Sequence, residues 1–311
     1  MIVIAILSII IGAHLYPEFY KKNRIESYQI GAEFPDLNYV LNKSESNENK
    51  KKLLSYEANL NSISSFSLGT KNIDIALSFE SKSTGTPKDE LDKTTVFDLQ
   101  LMGHKRKKFL WELYYQNYQG LYIIDKDDEL EAANKDYRAS SYSYGLNLKY
   151  FTKDDYDVKK SFSHFGKLKE KNWSFFHSLY VDVSKLYGQN GSLVPPEYYD
   201  ELDSIKHLTE IETKALGYDF GITGMYTYEY FYVSSLFGIG KAIQYQHVAG
   251  TDQGDRYIMP TSVNVAVDFG FKVNNKSAGF QIIAHGIDQP VKDAVFSKTR
   301  ESGQMYFKYF F

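Results

Sequence analysis

Residues 262–272 read SVNVAVDFGFK, and their alternation decides the fold class. Val263, Val265, Val267, Phe269 and Phe271 fall on one side of an extended chain, while Asn264, Ala266, Asp268, Gly270 and Lys272 fall on the other. A helix would place such residues on opposing faces and expose both sets, so period two selects a strand. The period recurs in ALGYDFGIT, 215–223, where Leu216, Tyr218, Phe220 and Ile222 alternate with Gly217, Asp219 and Gly221. It recurs again in VFDLQLM, 96–102, where Phe97, Leu99 and Leu101 alternate with Asp98 and Gln100.

Extended along the chain, the pattern predicts about twelve strands (10–14 being compatible), near 26–41, 54–69, 73–82, 94–102, 108–124, 139–152, 171–185, 209–223, 228–246, 257–272, 276–285 and 302–311. The links sort into two kinds. Those at 43–53, 83–93, 125–138, 186–208, 247–256 and 286–301 are long and polar; those at 70–72, 103–107, 224–227 and 273–275 are short. Long and short links alternating on an even strand count predict an antiparallel up-and-down transmembrane β-barrel, with short turns and both chain ends on the periplasmic side. Residues 153–171 break the rule, being long and basic, and predict a periplasmic or lumen-filling insertion. A soluble β-sandwich also alternates, but strands of fourteen or more residues exceed its usual five or six. Tyr and Phe also crowd the strand ends, as in ELYYQNYQGLY and MYTYEYFYV, which suits girdles at two bilayer interfaces.

Composition agrees. The 36 basic and 39 acidic residues nearly cancel, so no strong field points to nucleic acid. Aromatics make up 16% of the chain, with 27 Tyr and 21 Phe, which argues against extended disorder. Cysteine is absent, excluding disulfides and thiolate sites. At the N-terminus, Ile2–Ile11 is an apolar run of ten followed by Gly12-Ala13, which predicts a secretory signal peptide over 1–13. A short periplasmic segment at 14–25 and a single barrel over 26–311 would follow.

The last residues, QMYFKYFF at 304–311, place Met305, Phe307, Tyr309 and Phe311 on one outward row. The tail resembles the terminal strand of bacterial outer-membrane barrels, which is read by the barrel-assembly machinery; the resemblance implies that machinery as a transient partner. More narrowly, LSYEANLNSISSFSLG, FDLQLMGHKRKKFLWELYYQNYQGLYI, YSYGLNLKYFTKDDYDVKKSFSHFGKLKEKNWSFFHSLYVDV and LGYDFGITGMYTYEYFYVSSLFGIGK resemble the bacterial domain of unknown function 4421 family. Those stretches cover most of 54–245. The resemblance implies an outer-membrane barrel of Gram-negative bacteria and carries no catalytic residues.

If the apolar row meets lipid, the other row lines the lumen. Its expected charges include Glu57, Asp74, Asp98, Glu112, Asp182, Asp219 and Asp268, against Lys149, Lys272 and Lys308. An acidic excess would bias a wet lumen toward cations, whereas a narrow lumen would simply fill with paired charges. Gly217, Gly221, Gly238, Gly240 and Gly270 on the same row relieve strand curvature and let aromatics lie over them, or else make room for a ligand. The enzyme alternative is a lipid-acting hydrolase like the outer-membrane phospholipases, which place a His-x-Ser pair on one strand face. No histidine here is followed by Ser two places on, and no G-x-S-x-G elbow is present. Scattered histidines suggest no metal, the acidic run 125–136 lacks the fixed Gly and terminal Glu of a calcium loop, and no cofactor is expected. The expected function is therefore porin-like or structural: a narrow or plugged pore, or a scaffold for surface or periplasmic partners, set in outer-membrane lipid.

Overall fold

The computed structural model describes residues 25–43, 51–58, 63–70, 73–80, 94–105, 108–125, 137–156, 171–200, 202–251, 254–291 and 294–311. The expected signal peptide, nearly all of 14–25, most of the acidic run and residues 157–170 of the insertion lie outside them. The strands are β1 (Ile25–Lys43), β2 (Lys51–Glu57), β3 (Ile63–Thr70), β4 (Ile73–Glu80), β5 (Thr95–Lys105), β6 (Phe109–Asp125), β7 (Ala139–Phe151), β8 (Lys171–Gly188), β9 (Glu210–Tyr228), β10 (Phe231–Ala249), β11 (Arg256–Ile258), β12 (Thr261–Val273), β13 (Lys276–Val291) and β14 (Ala294–Phe310). Omitting β2 and β11, each strand pairs antiparallel with the next, and β14 pairs with β1 from Ser27↔Phe310 to Lys43↔Ala294. The ring is a closed 12-stranded barrel without α-helices among the described residues. Closure leaves no unpaired strand edge, which hydrocarbon would not tolerate.

The outward rows form the apolar belt. On β9 the row is Leu216, Tyr218, Phe220, Ile222, then Tyr226 and Tyr228, all large exposed side chains. On β8 it is Trp173, Phe175, Leu179 and Val181, again exposed. Rings pair across strands within this belt, Phe175 with Phe220 at 5.7 Å and Phe269 with Phe280 at 5.7 Å. Eleven residues from Leu216 to Tyr226, at about 3.3 Å each and tilted about 40°, span roughly 25 Å, the height of an outer-membrane apolar band. The outward tail row behaves as expected: Met305, Phe307 and Phe311 are exposed, and Tyr309 stacks on Tyr28 of β1 at 5.6 Å. The Phe311 amide donates to the Glu26 carbonyl at 2.9 Å, tying the chain end to the first strand.

Four boundaries differ from expectation. The link expected at 286–301 is paired strand, because β13 and β14 stay in register up to Val291↔Ala294. The turn expected at 224–227 sits at Glu229–Tyr230, where Glu229 takes φ 50°; Tyr226 and Tyr228 continue the interfacial row instead of leaving it. The loop expected over 247–256 shrinks because β11 pairs back onto β10, with Gln246↔Arg256. Finally, the expected strand 54–69 is two strands. β1 pairs β3 along its lower half and β2 along its upper half, and β2 then pairs β6. Above the short β3, β4 and β5, therefore, β2 bridges β1 to β6 among the described residues.

The inner rows change character at that level. On β1 they run Ser27, Gln29, Gly31 and Glu33, then Leu37, Tyr39 and Leu41. On β6 a bulge at Gly120, with φ 82°, shifts the register between Gln119 and Leu121 and turns Leu121 and Ile123 inward. These residues pack with Leu54 and Tyr56 of β2 and with Leu193, Val194, Leu202, Ile205 and Leu208 of the β8–β9 link. That link, stiffened by Pro195 and Pro196, makes two 3-10 turns, Pro196–Tyr198 and Asp203–Ile205, and folds into the mouth of the barrel. This end of the barrel thus holds a buried apolar core of the kind soluble domains use.

Candidate functional site: the occluded lumen

Below the cap the inner wall is polar. Asp74, Asp98, Glu112, Asp182, Asp219 and Asp268 all lie on inner rows, as do Lys149, Lys272 and Lys308. Glu57 does not. Tyr56 of β2 faces Tyr39 inside, so Glu57 falls on the other face, where its carboxylate accepts from Ser55 Oγ at 2.9 Å and Asn38 Nδ2 at 3.4 Å. The break between β2 and β3 shifts the inner row from even to odd residues, which a single strand over 54–69 would not do.

The acids are held by neighbours rather than left open. Glu112 pairs with Lys149. Asp219 accepts from Ser262 Oγ at 2.7 Å and Asn264 Nδ2 at 2.8 Å. Asp98, with 2% of its side chain exposed, accepts from Gln116 Nε2 at 2.6 Å and Arg300 Nη2 at 3.1 Å. Glu33 accepts from Ser302 at 2.8 Å. Four inner groups were not foreseen: Glu33, His285, Lys298 and Arg300. Lys298 and Arg300 fall in the stretch expected to be a loop, although the tail's own parity, read backward from Lys308 through Gln304, places both on the inner row, whereas His285 closes a strand that was expected.

Glycines set how these groups reach one another. Tyr114 on β6, Gly145 on β7 and Asp182 on β8 are successive register partners, and the tyrosine hydroxyl passes over the glycine to bond the carboxylate. A side chain at Gly145 would meet that hydroxyl at 2.6 Å. Likewise Tyr232, Gly270, Gly279 and Tyr306 lie in one cross-strand line; the two hydroxyls bond across both glycines, and Tyr306 donates to Asp268 at 2.8 Å. Phe176 lies over Gly221 and Gly238, Tyr180 over Gly217, and Ser262 reaches Asp219 across Gly240. Aromatic side chains therefore lie over Gly217, Gly221, Gly238 and Gly270 as expected, while Gly240 is crossed by a polar tie instead; each is a gap that a longer neighbour spans. The result is a lumen crossed by side-chain ties.

At the end of the barrel opposite the apolar core, Tyr156 from the described start of the insertion is fully buried against Phe151 and Phe176, and its hydroxyl bonds Thr223 at 3.1 Å. Lys108, in the link between β5 and β6, pairs with Asp154. Three of the described histidines have these partners: His177 Nδ1 bonds Tyr218 at 2.6 Å, His247 Nδ1 bonds Asp255 at 2.6 Å, and His207 packs edge-on to Tyr199. Among the described residues no group of three metal-ligating side chains occurs.

A closed antiparallel barrel with an apolar belt between aromatic girdles is the outer-membrane architecture, and the chain is an integral outer-membrane barrel. No family model matches the chain, and no curated protein matches it. Among solved structures it is similar to the outer-membrane protease OmpT from Escherichia coli, at 10% identity and TM-score 0.44, covering 93% of this chain and 97% of that one. It is also similar to the translocator domain of the autotransporter NalP from Neisseria meningitidis, at 9% identity and TM-score 0.36, covering 96% and 93%. The P. putida toluene transporter TodX aligns at 9% identity and TM-score 0.30, covering 93% and 90%. Likenesses at this level concern barrel architecture, and no activity is taken from them.

Proposed function

We propose that this barrel is a non-catalytic, plugged outer-membrane protein that presents its outer cap and periplasmic rim as a scaffold, rather than a standing pore. The observation that carries this reading is the apolar core sealing the outer mouth, where Leu54, Tyr56, Leu193 and Val194 are essentially inaccessible to solvent. Dry hydrophobic constrictions block ions by excluding water. The ties across the lumen below add a second barrier. In planar bilayers the purified barrel is expected to show no conductance steps. Regular steps of one amplitude would overturn the plugged reading, and turnover of phospholipid or acyl-ester substrates would overturn the non-catalytic one.

Kinship with the domain of unknown function 4421 family, and passage through the barrel-assembly machinery, belong to the same proposal. What supports the second is the placement of Phe311 at the rim, beside Tyr309 at 5.3 Å and Tyr28 at 5.8 Å. Deleting Phe311 removes few contacts, so the folded barrel should keep its stability. Its yield in the membrane, read by heat-modifiable migration in gels, is expected to fall several-fold. Unchanged yield would remove the assembly role.

A further inference from the structure

The upper inner wall of β10 carries Gln244 and Gln246, buried to 1% and 0% exposure. Among the described residues neither Nε2 donor has a hydrogen-bond partner, and Nη2 of Arg256 also has none. Arg256 of β11 stands opposite Gln246 in the register, on the same inner side, and its Nε donates to Gln246 Oε1 at 2.8 Å. That bond fixes the amide, since a flip would turn its NH2 group against the guanidinium. Three N–H donors without acceptors therefore share one buried patch just beneath Val248 of the apolar cap.

Buried N–H groups almost always find an acceptor, and two described neighbours that could supply one are engaged elsewhere. Asp255 turns to the outer face, where it accepts from His247 and Tyr245. Thr213, the register partner of Gln246 on β9, is bonded to Ser184 at 2.8 Å. Burial draws the Arg256 pKa below its ordinary value. Arg256 is only partly buried, although its Nη2 and the two amide nitrogens are themselves closed to solvent, so a ligand would enter alongside the guanidinium.

We propose that Arg256, Gln244 and Gln246 form a binding site for the carboxylate of an external ligand at the outer end of the lumen. The set is all donors, which selects an acceptor. It holds one cation and two neutral amides, which balance a single negative charge; a phosphate near two charges would stay under-compensated where water is scarce. The guanidinium supplies directional N–H groups that an ammonium would not.

The test uses the full barrel in detergent micelles, with thermal unfolding followed by the fluorescence of Trp111 and Trp173. The probes are glucuronate as carboxylate, glucose as its uncharged counterpart, and inorganic phosphate. Glucuronate is expected to raise the midpoint by ~2–4 °C at saturating concentration, glucose to leave it unchanged, and phosphate to shift it less. Arg256→Met should abolish the glucuronate shift. Gln244→Met replaces an orphan donor by an apolar chain of similar size, so it should unfold at a higher midpoint than the wild type and yet respond less to glucuronate. A purely structural role would not couple gained stability to lost response. Wild-type midpoints unmoved by glucuronate, an equal shift in Arg256→Met, or a larger shift with phosphate would each overturn the assignment.

Discussion

Arg300→Met is expected to lower the stability of the folded barrel by about 3 kcal/mol, the largest single-residue loss anticipated within the lumen. The substitution strips the cation from Asp98, whose carboxylate stays sealed against water on the inner wall of β5. Removing one partner of a buried pair typically costs about 3–5 kcal/mol, because the remaining charge is neither solvated nor compensated. The lower end applies here, since Gln116 at 2.6 Å and Gln100 at 3.2 Å still donate to the same carboxylate. The double variant Arg300→Met/Asp98→Asn leaves no charge to strand, and should recover to within about 1 kcal/mol of the wild type. Urea unfolding of the barrel in lipid, read by tryptophan fluorescence, checks both. A single variant within about 1 kcal/mol of wild type, or a double variant no better than the single, would show that water reaches Asp98.

The register of this barrel was legible because lipid enforces period two without interruption. Val263 to Phe271 cannot slip by one residue without turning Asp268 and Lys272 toward hydrocarbon, so the strand, its faces and its inner acids follow from the letters alone. Legibility ended where the chain leaves the membrane. Above Glu33 the inner row of β1 turns apolar, at Leu37, Tyr39 and Leu41. Period two persists there, but its meaning inverts, because water now lies outside and a dry core inside. The same inversion hid the split between β2 and β3, and with it the true face of Glu57. The glycines mark an intermediate case. Their place on the inner row was readable, whereas the ring that would cover each one depends on shear between strands, which no local pattern carries. Arg300 was missed for a different reason: polar residues at 297–301 resemble a loop, although on an inner row polar residues are what a barrel strand requires.

Unsealing the cap is expected to separate the two barriers to conduction. In the double variant Leu193→Asp/Val194→Asp, two carboxylates would have to be buried among Leu54, Tyr56, Leu121 and Ile205. Each would cost several kcal/mol unless the segment leaves the core, so 189–209 should swing out. The membrane belt, the tail seam between β14 and β1, and the ties below the cap share few residues with that segment, and folding should survive. Protease added to intact cells is then expected to cleave within 189–209 at least tenfold faster than in the wild type, the cost of exposing the segment having been met by the substitution. Conductance should nevertheless stay silent, because Tyr232 and Tyr306 still meet over Gly270 and Gly279, and Arg300 still spans to Asp98. Steps should arise only when a lumen tie is cut as well, as in the triple variant that adds Tyr306→Ser. Steps already present in the double variant would make the cap the sole barrier and the lumen beneath it a wet channel. Cleavage no faster than in the wild type would mean that the β8–β9 link is held by more than its apolar contacts, since two buried carboxylates would otherwise have displaced it.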